Sequence, residues 1–173
     1  SFYKNSNKIY AGTARAGNVI GGGDFKNNRI IPDFFRAISQ KKILTLRNPK
    51  STRPWQHVLE PLSGYLKLGS LLLNKKINPG LYPSWNFGPY KINCKTVIDI
   101  INLFYRHLAI RKNIKILKQK RIKEANFLSL EIKKAKNELK WQPRLSLNEC
   151  VKFTADWYTS YYAQENVEDL TNR

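Results

Sequence analysis

Apolar residues recur in short blocks punctuated by glycine and proline, and the blocks switch between strand-like and helix-like spacing. Ile9 to Ala16 reads as a short buried strand that stops at Gly17. Gly21 to Gly23 then form a loop. Pro32 suits the first turn of a helix carrying Phe34, Phe35 and Ile38, where its fixed φ and missing N–H do no harm. Ile43 to Leu46 predicts another strand, Arg47 to Arg53 a loop, and Trp55 to Val58 a short extended piece. From Leu59 a helix is expected with Leu59, Leu62, Leu66 and Leu73 on one face. Pro61 falls in its first turn, while Gly64 and Gly69 permit close packing at some cost in helix propensity.

Pro79, Gly80 and Pro83 punctuate the next stretch, and Trp85 to Phe87 reads as a brief strand stopped by Gly88 and Pro89. A helix is expected from Val97 to about Leu108. Beyond it, Ile114 and Ile116 alternate with Lys115 as an exposed edge strand does, where lysine deters edge pairing. Two helices close the chain. One sets Ile132, Ala135 and Leu139 on a stripe; the other opens with the capping box Ser146-Leu147-Asn148-Glu149 and is expected to bury Cys150, Phe153, Trp157 and Tyr161. With no internal repeat, low-complexity tract or long linker, residues 1–173 read as one continuous α/β body.

Composition narrows the class. At 173 residues with 42% hydrophobic content the chain can bury a core without staples. Its two cysteines, Cys94 and Cys150, lie far apart, so neither a disulfide framework nor a paired zinc signature is present. No apolar run long enough for a membrane span or signal peptide occurs, and the expectation is a soluble, cytoplasmic protein with no membrane partner. Lys and Arg outnumber Asp and Glu by 31 to 12, a net +19. Three readings of that charge compete: lysine-rich codon bias, an anionic small-molecule substrate, or a polyanion held by the basic run Arg111 to Lys123. The scatter of lysines along the chain disfavours nucleic acid. Methionine is absent, so either the initiator was removed before Ser1 or the chain is an excerpt of a longer protein.

Several signatures of chemistry are missing from the sequence. There is no G-x-G-x-x-G and no G-x-x-x-x-G-K-[ST]; Gly21 to Gly23 have the wrong spacing and lead into Asp24. His57 and Glu60 alone do not make a metal site, since His107 is the only other histidine. A G-x-S-x-G elbow is also lacking, which argues against a serine or cysteine hydrolase.

The loops after the apparent strands carry more. ARAGNVIGGGD at Ala14 to Asp24, RNP at Arg47 to Pro49, TRPWQHVLEPLSGY at Thr52 to Tyr65 and WNFGP at Trp85 to Pro89 resemble the CDP-glucose 4,6-dehydratases, NAD-dependent members of the extended short-chain dehydrogenase/reductase group. The likeness continues through EANFLSL at Glu124 to Leu130 and KAKNELKWQPRLSL at Lys134 to Leu147. It implies the carboxy-terminal part of a Rossmann-like fold, including the smaller substrate-binding region, with the amino-terminal NAD-binding half absent. Neither the family's pyrophosphate turn nor its Tyr-x-x-x-Lys pair is here: no tyrosine has lysine four residues on.

In the family NAD oxidises C4 of the glucose, a base removes the C5 proton, water leaves from C6 and the hydride returns to C6. The resemblance therefore implies a lyase partnered by CDP-glucose in deoxysugar and lipopolysaccharide O-antigen biosynthesis, homo-oligomeric when complete and inactive as this piece alone. It assigns Asn18 and Arg53 to the sugar diphosphate, Arg29 and Arg47 to the nucleotide end, His57 and Glu124 to the pocket, and Ala16 with Asn18 to a fringe of the cofactor site. No catalytic residue of the family maps onto the chain. A guanidinium suits a diphosphate because its planar fork donates to paired oxygens, whereas lysine offers a point charge. Lys123 stands where the family commonly has histidine, which weakens the Glu124 assignment.

Overall fold

The structure, a computed structural model, describes residues 11–74, 76, 84–117 and 126–171. The order is β1 (Thr13–Ala16), β2 (Asn18–Ile20), α1 (Ile30–Ser39), β3 (Leu44–Leu46), β4 (Thr52–His57), α2 (Leu59–Leu73), β5 (Ser84–Phe87), a 3₁₀ turn at Lys91–Asn93, and β6 (Cys94–Thr96). Then follow α3 (Val97–His107), β7 (Ile114–Ile116), α4 (Lys133–Leu139), α5 (Leu147–Tyr162) and α6 (Val167–Thr171). β1 pairs in parallel with β5, β2 with β4 and β3 with β7, while β6 runs antiparallel to β4.

β4 is the hinge of this arrangement. Its first half, Thr52 to Pro54, faces β6, and its second half, Trp55 to His57, faces β2. Pro54 cannot donate to a ladder, and it sits where the strand changes partner, so the missing N–H disrupts little. β4 is also longer than the piece expected from Trp55: the ladders extend it back to Thr52, through residues whose polarity hides their pairing. β1 begins at Thr13; the part of the expected strand before residue 11 lies outside the described residues.

Two apolar clusters hold the elements. In the larger, α1, α3 and α5 pack Phe34, Phe35, Ile100, Ile101, Phe104, Ala155 and Tyr158 around β3. Its aromatic rings meet edge to face, as Phe34 does with Tyr105, or stacked, as Phe35 does with Tyr158 at 4.2 Å. The smaller joins α2 and α4 through Leu68, Leu72, Trp85, Phe87, Ala135, Leu139 and Trp141. Ile132, Ala135 and Leu139 are buried as their stripe predicts. Both α3 and α5 start with complete capping boxes, Thr96 with Asp99 and Ser146 with Glu149.

Two helices turn a different face inward from the one expected. α2 buries Glu60, Pro61, Gly64, Leu68 and Leu72, leaving Leu59, Leu62, Leu66 and Leu73 exposed. The cause is Gly64: a Cβ there would lie 2.1 Å from Phe87 Cδ1, so only glycine lets the helix press onto β5 on that side. Gly69 makes no such approach, since a Cβ at that position would meet nothing within 4 Å. In α5 the buried residues are Leu147, Cys150, Val151, Thr154, Ala155 and Tyr158, while Phe153 and Tyr161 remain partly exposed. Thr154 enters the core because its hydroxyl donates to the Cys150 carbonyl at 2.8 Å, hiding its polarity.

Candidate functional site

Parallel pairing of β2 with β4 sets Asn18 beside Trp55, with Arg53 two residues earlier on the same face. That face opens into a cleft of about 870 Å³. Its walls come from β2 and the glycine turn after it, the start of α1, the loop after β3, the face of β4, and Tyr158 of α5. Asn18, Arg29, Arg47 and Arg53 all line this one cleft. Four residues drawn from separate stretches of the sequence are thus brought together.

The charges are arranged unevenly. Arg29 pairs with Asp24 at 2.9 Å, and Arg36 pairs with Asp33 at 2.6 Å. Arg47 donates to Asn28 Oδ1 at 2.7 Å, a neutral acceptor. Arg53, half-buried, donates to the Thr52 carbonyl at 2.9 Å. The first turn of α1, Ile30 to Asp33, also lines the cleft, and Arg29 at its start gives no side-chain cap. Only Ile30 and Ile31 of this turn have amides free to face an anion, since Pro32 has no N–H and the Asp33 N–H donates to the Arg29 carbonyl, and the Asp33 carboxylate, paired with Arg36, offsets part of the helix's positive end. The arrangement can bind an anion with at least two oxygen-rich groups.

The glycine turn is fixed from behind. Tyr158 Oη donates to the Asp24 carbonyl, and its burial pushes the phenol pKa well above the usual range. Trp157 lies directly on Gly22, where a Cβ would fall 2.1 Å from the indole, and Gly23 takes φ +78°. Side chains at either position would break this contact or strain the turn. Phe25 and Tyr161 complete the aromatic cover, with ring centroids 4.7 Å apart.

One residue expected to line the pocket, His57, lies elsewhere. His57 is buried under Gly21, edge-on to Phe153 at 5.7 Å, with its Nδ1 accepting the Leu59 N–H at 3.4 Å. It does not line the cleft; burial holds its pKa below the usual histidine value, so the ring is neutral at pH 7. Ala16 pairs with Phe87 on β1 and is also outside the cleft. Glu124 falls outside the described residues. Trp55 does line the cleft, but its Nε1 is tied to the Lys95 carbonyl at 2.9 Å. Sequence reasoning missed Asn28, Asn48, Ser51 and Tyr158. Asn28 had a usable signal, since asparagine tolerates the left-handed conformation it adopts at φ 64°. Tyr158, 134 residues from its partner Asp24, had none. Among the described residues, no group of His, Cys, Asp and Glu could hold a metal ion, and no helix is long and apolar enough to cross a membrane.

Strand pairing, helix placement and cleft together make a fold of a defined class, the Rossmann-like extended short-chain dehydrogenase/reductase fold of sugar dehydratases and epimerases. Over 91% of the chain the structure matches dTDP-glucose 4,6-dehydratase from Bacillus anthracis, solved with NAD, with a TM-score of 0.70 and 20% identity. It matches 93% of the chain to UDP-glucuronic acid 4-epimerase from Bacillus cereus, solved with UDP-glucuronic acid and NAD, with a TM-score of 0.74 and 19% identity. Within that class the sequence is similar to CDP-glucose 4,6-dehydratase from Salmonella typhimurium, 37% identical over 157 residues and 90% of this chain. The chain spans 43% of that relative's length, and 46% and 48% of the two solved chains. No family model matches it.

Proposed function

We propose that the chain is the substrate-gripping part of an NAD-dependent CDP-glucose 4,6-dehydratase, and that its cleft holds the diphosphate of CDP-glucose. One observation carries this reading: Asn18, Arg29, Arg47 and Arg53 converge, with the first turn of α1, on a single cleft. Arg53 donates to the diphosphate as a fork, Asn18 supplies a neutral amide, and Arg47 and Arg29 serve the nucleotide end. The residues present do not fit NAD. The sequence has no G-x-G-x-x-G turn for a pyrophosphate and no Tyr-x-x-x-Lys, so hydride chemistry belongs to residues beyond these 173. What these residues do is bind and orient the substrate's charged linker.

Calorimetric titration tests the reading. The chain should bind CDP-glucose, and CDP more weakly, with no saturable binding of NAD. Charge-assisted hydrogen bonds contribute about 1.5 to 3 kcal/mol each, so losing a two-pronged contact in Arg53→Ala weakens binding by at least about 100-fold. Arg15→Ala, exposed on β1 and outside the cleft, should change nothing. Equal binding by Arg53→Ala and the parent chain removes Arg53 from the site. Parallel titrations with UDP-glucose and dTDP-glucose establish whether the cytidine is read within this chain.

A further inference from the structure

Arg29 and Arg47 come to the cleft from different elements, yet both are held by the short stretch between the glycine turn and α1. Arg29 Nη1 donates to Asp24 Oδ2 at 2.9 Å, and Arg47 Nη2 donates to Asn28 Oδ1 at 2.7 Å, across 19 residues of chain. That stretch is itself fastened. The Asp24 carbonyl accepts from Tyr158 Oη, the Phe25 carbonyl accepts from Arg36 at 2.9 Å, and Asp24 Oδ1 accepts the Lys26 N–H at 3.1 Å. Asn28 therefore presents its side chain from a fixed frame.

Asn28 sits at φ 64°, a left-handed conformation open to glycine, asparagine and aspartate. Glycine would serve the backbone equally well. What glycine lacks is the acceptor, and here that carboxamide oxygen is engaged by Arg47. Arg47 follows Leu46, the buried last residue of β3, so its backbone is anchored while its side chain is exposed. A long exposed side chain samples many rotamers, and ordering it only when a ligand arrives weakens binding. A contact made beforehand removes that cost. Both Asn28 and Arg47 line the cleft.

We propose that Asn28 is a positioning residue: it orders the Arg47 guanidinium at the cleft wall before substrate binds, so that Arg47 meets the phosphate at the nucleotide end of CDP-glucose already aligned. The inference rests on the reading of the cleft as the site of the CDP-glucose diphosphate. Asn28 acts through Arg47 and carries no chemistry of its own. Among the described residues the contact takes Nη2 alone, so the guanidinium keeps Nη1 and Nε as donors for phosphate oxygens.

Calorimetric titration of the 173-residue chain with CDP-glucose, run as a double-mutant cycle, separates positioning from folding. Arg47→Ala should weaken binding at least about tenfold, the loss of a charge-assisted contact. Asn28→Gly keeps the backbone and removes the acceptor; it should weaken binding roughly three- to tenfold, and add nothing in the Arg47→Ala background. Asn28→Asp keeps backbone and acceptor, and since an exposed ion pair changes little it should bind within about twofold of the parent. Without ligand, nitrogen NMR of the Arg47 side chain should show slowed guanidinium rotation in the parent and in Asn28→Asp, and faster rotation in Asn28→Gly. Parent-strength binding by Asn28→Gly, while Arg47→Ala is weakened, overturns this proposal alone. A loss that persists in the Arg47→Ala background, an unfolded Asn28→Gly, or an Asn28→Asp as weak as Asn28→Gly also overturns it and makes Asn28 a residue of the loop's own fold. Parent-strength binding by Arg47→Ala overturns it together with the role of Arg47, and a parent chain that does not bind CDP-glucose overturns it together with the reading of the cleft.

Discussion

Glu60 offers the sharpest test of how the cleft is held. It sits just beyond β4 with 4% of its surface exposed, and a single oxygen, Oε1, accepts the N–H of Arg144 at 2.8 Å and of Leu145 at 2.5 Å. These bonds fasten the start of α2 to the segment entering α5, the helix whose Tyr158 holds the glycine turn. Glu60→Ala removes the acceptor and leaves two partly buried amides without it, at about 1 to 3 kcal/mol each. The summed loss is about 4 kcal/mol, a large share of the roughly 5 to 15 kcal/mol typical of a domain. With a urea slope of about 2 kcal/mol/M, the midpoint should fall by about 2 M. Glu60→Gln keeps a carbonyl acceptor of the same reach and loses only charge assistance, so its midpoint should fall by less than half as much. Urea titration followed by tryptophan fluorescence measures both. If Glu60→Ala unfolds at the parent midpoint, or Gln is as damaging as Ala, the buried carboxylate is not the fastening.

Gly64→Ala should destabilise the chain although alanine is the better helix former: the gain of about 1 kcal/mol in propensity is outweighed by forcing Phe87 aside, at about 1 to 3 kcal/mol or more. Thermal unfolding reads the sign, and a raised midpoint would contradict the close contact. Glu149 has its pKa lowered by the Ser146 side chain and backbone. Its contribution is therefore present above its ordinary value of 4.5 and lost as pH falls through the lower folded value. Glu149→Gln should flatten that acid limb, seen by comparing urea midpoints of the two proteins across it. Burial pushes the Cys150 thiol up to about 11, so it should resist a thiol reagent at mildly alkaline pH while the protein is folded and react when it is unfolded, whereas equal rates in both states would place it at the surface. His57, buried and held below 6.5, should show an NMR titration midpoint under that value; a midpoint above it would mean that the ring reaches solvent or an anion.

Local signals in the sequence determined where most elements lie. Pro32 opens α1, Ser146 and Glu149 open α5, and the stripe of Ile132, Ala135 and Leu139 is buried as its spacing predicts, because caps and periodicity act over a few residues. The quoted loops likewise supplied Asn18, Arg47 and Arg53 as candidates, Arg29 came from the stretch just before Pro32, and all four line one cleft. Tertiary structure alone decided which face of a helix turns inward. α2 has two apolar faces, and the choice fell to the one bearing Gly64, since its missing Cβ admits Phe87. The histidine that ends β4 proved to lie beneath the glycine turn, and a tyrosine far along the chain proved to hold that turn in place. Periodicity identifies a surface that is apolar, but only the shape of what packs against it determines whether that surface is buried.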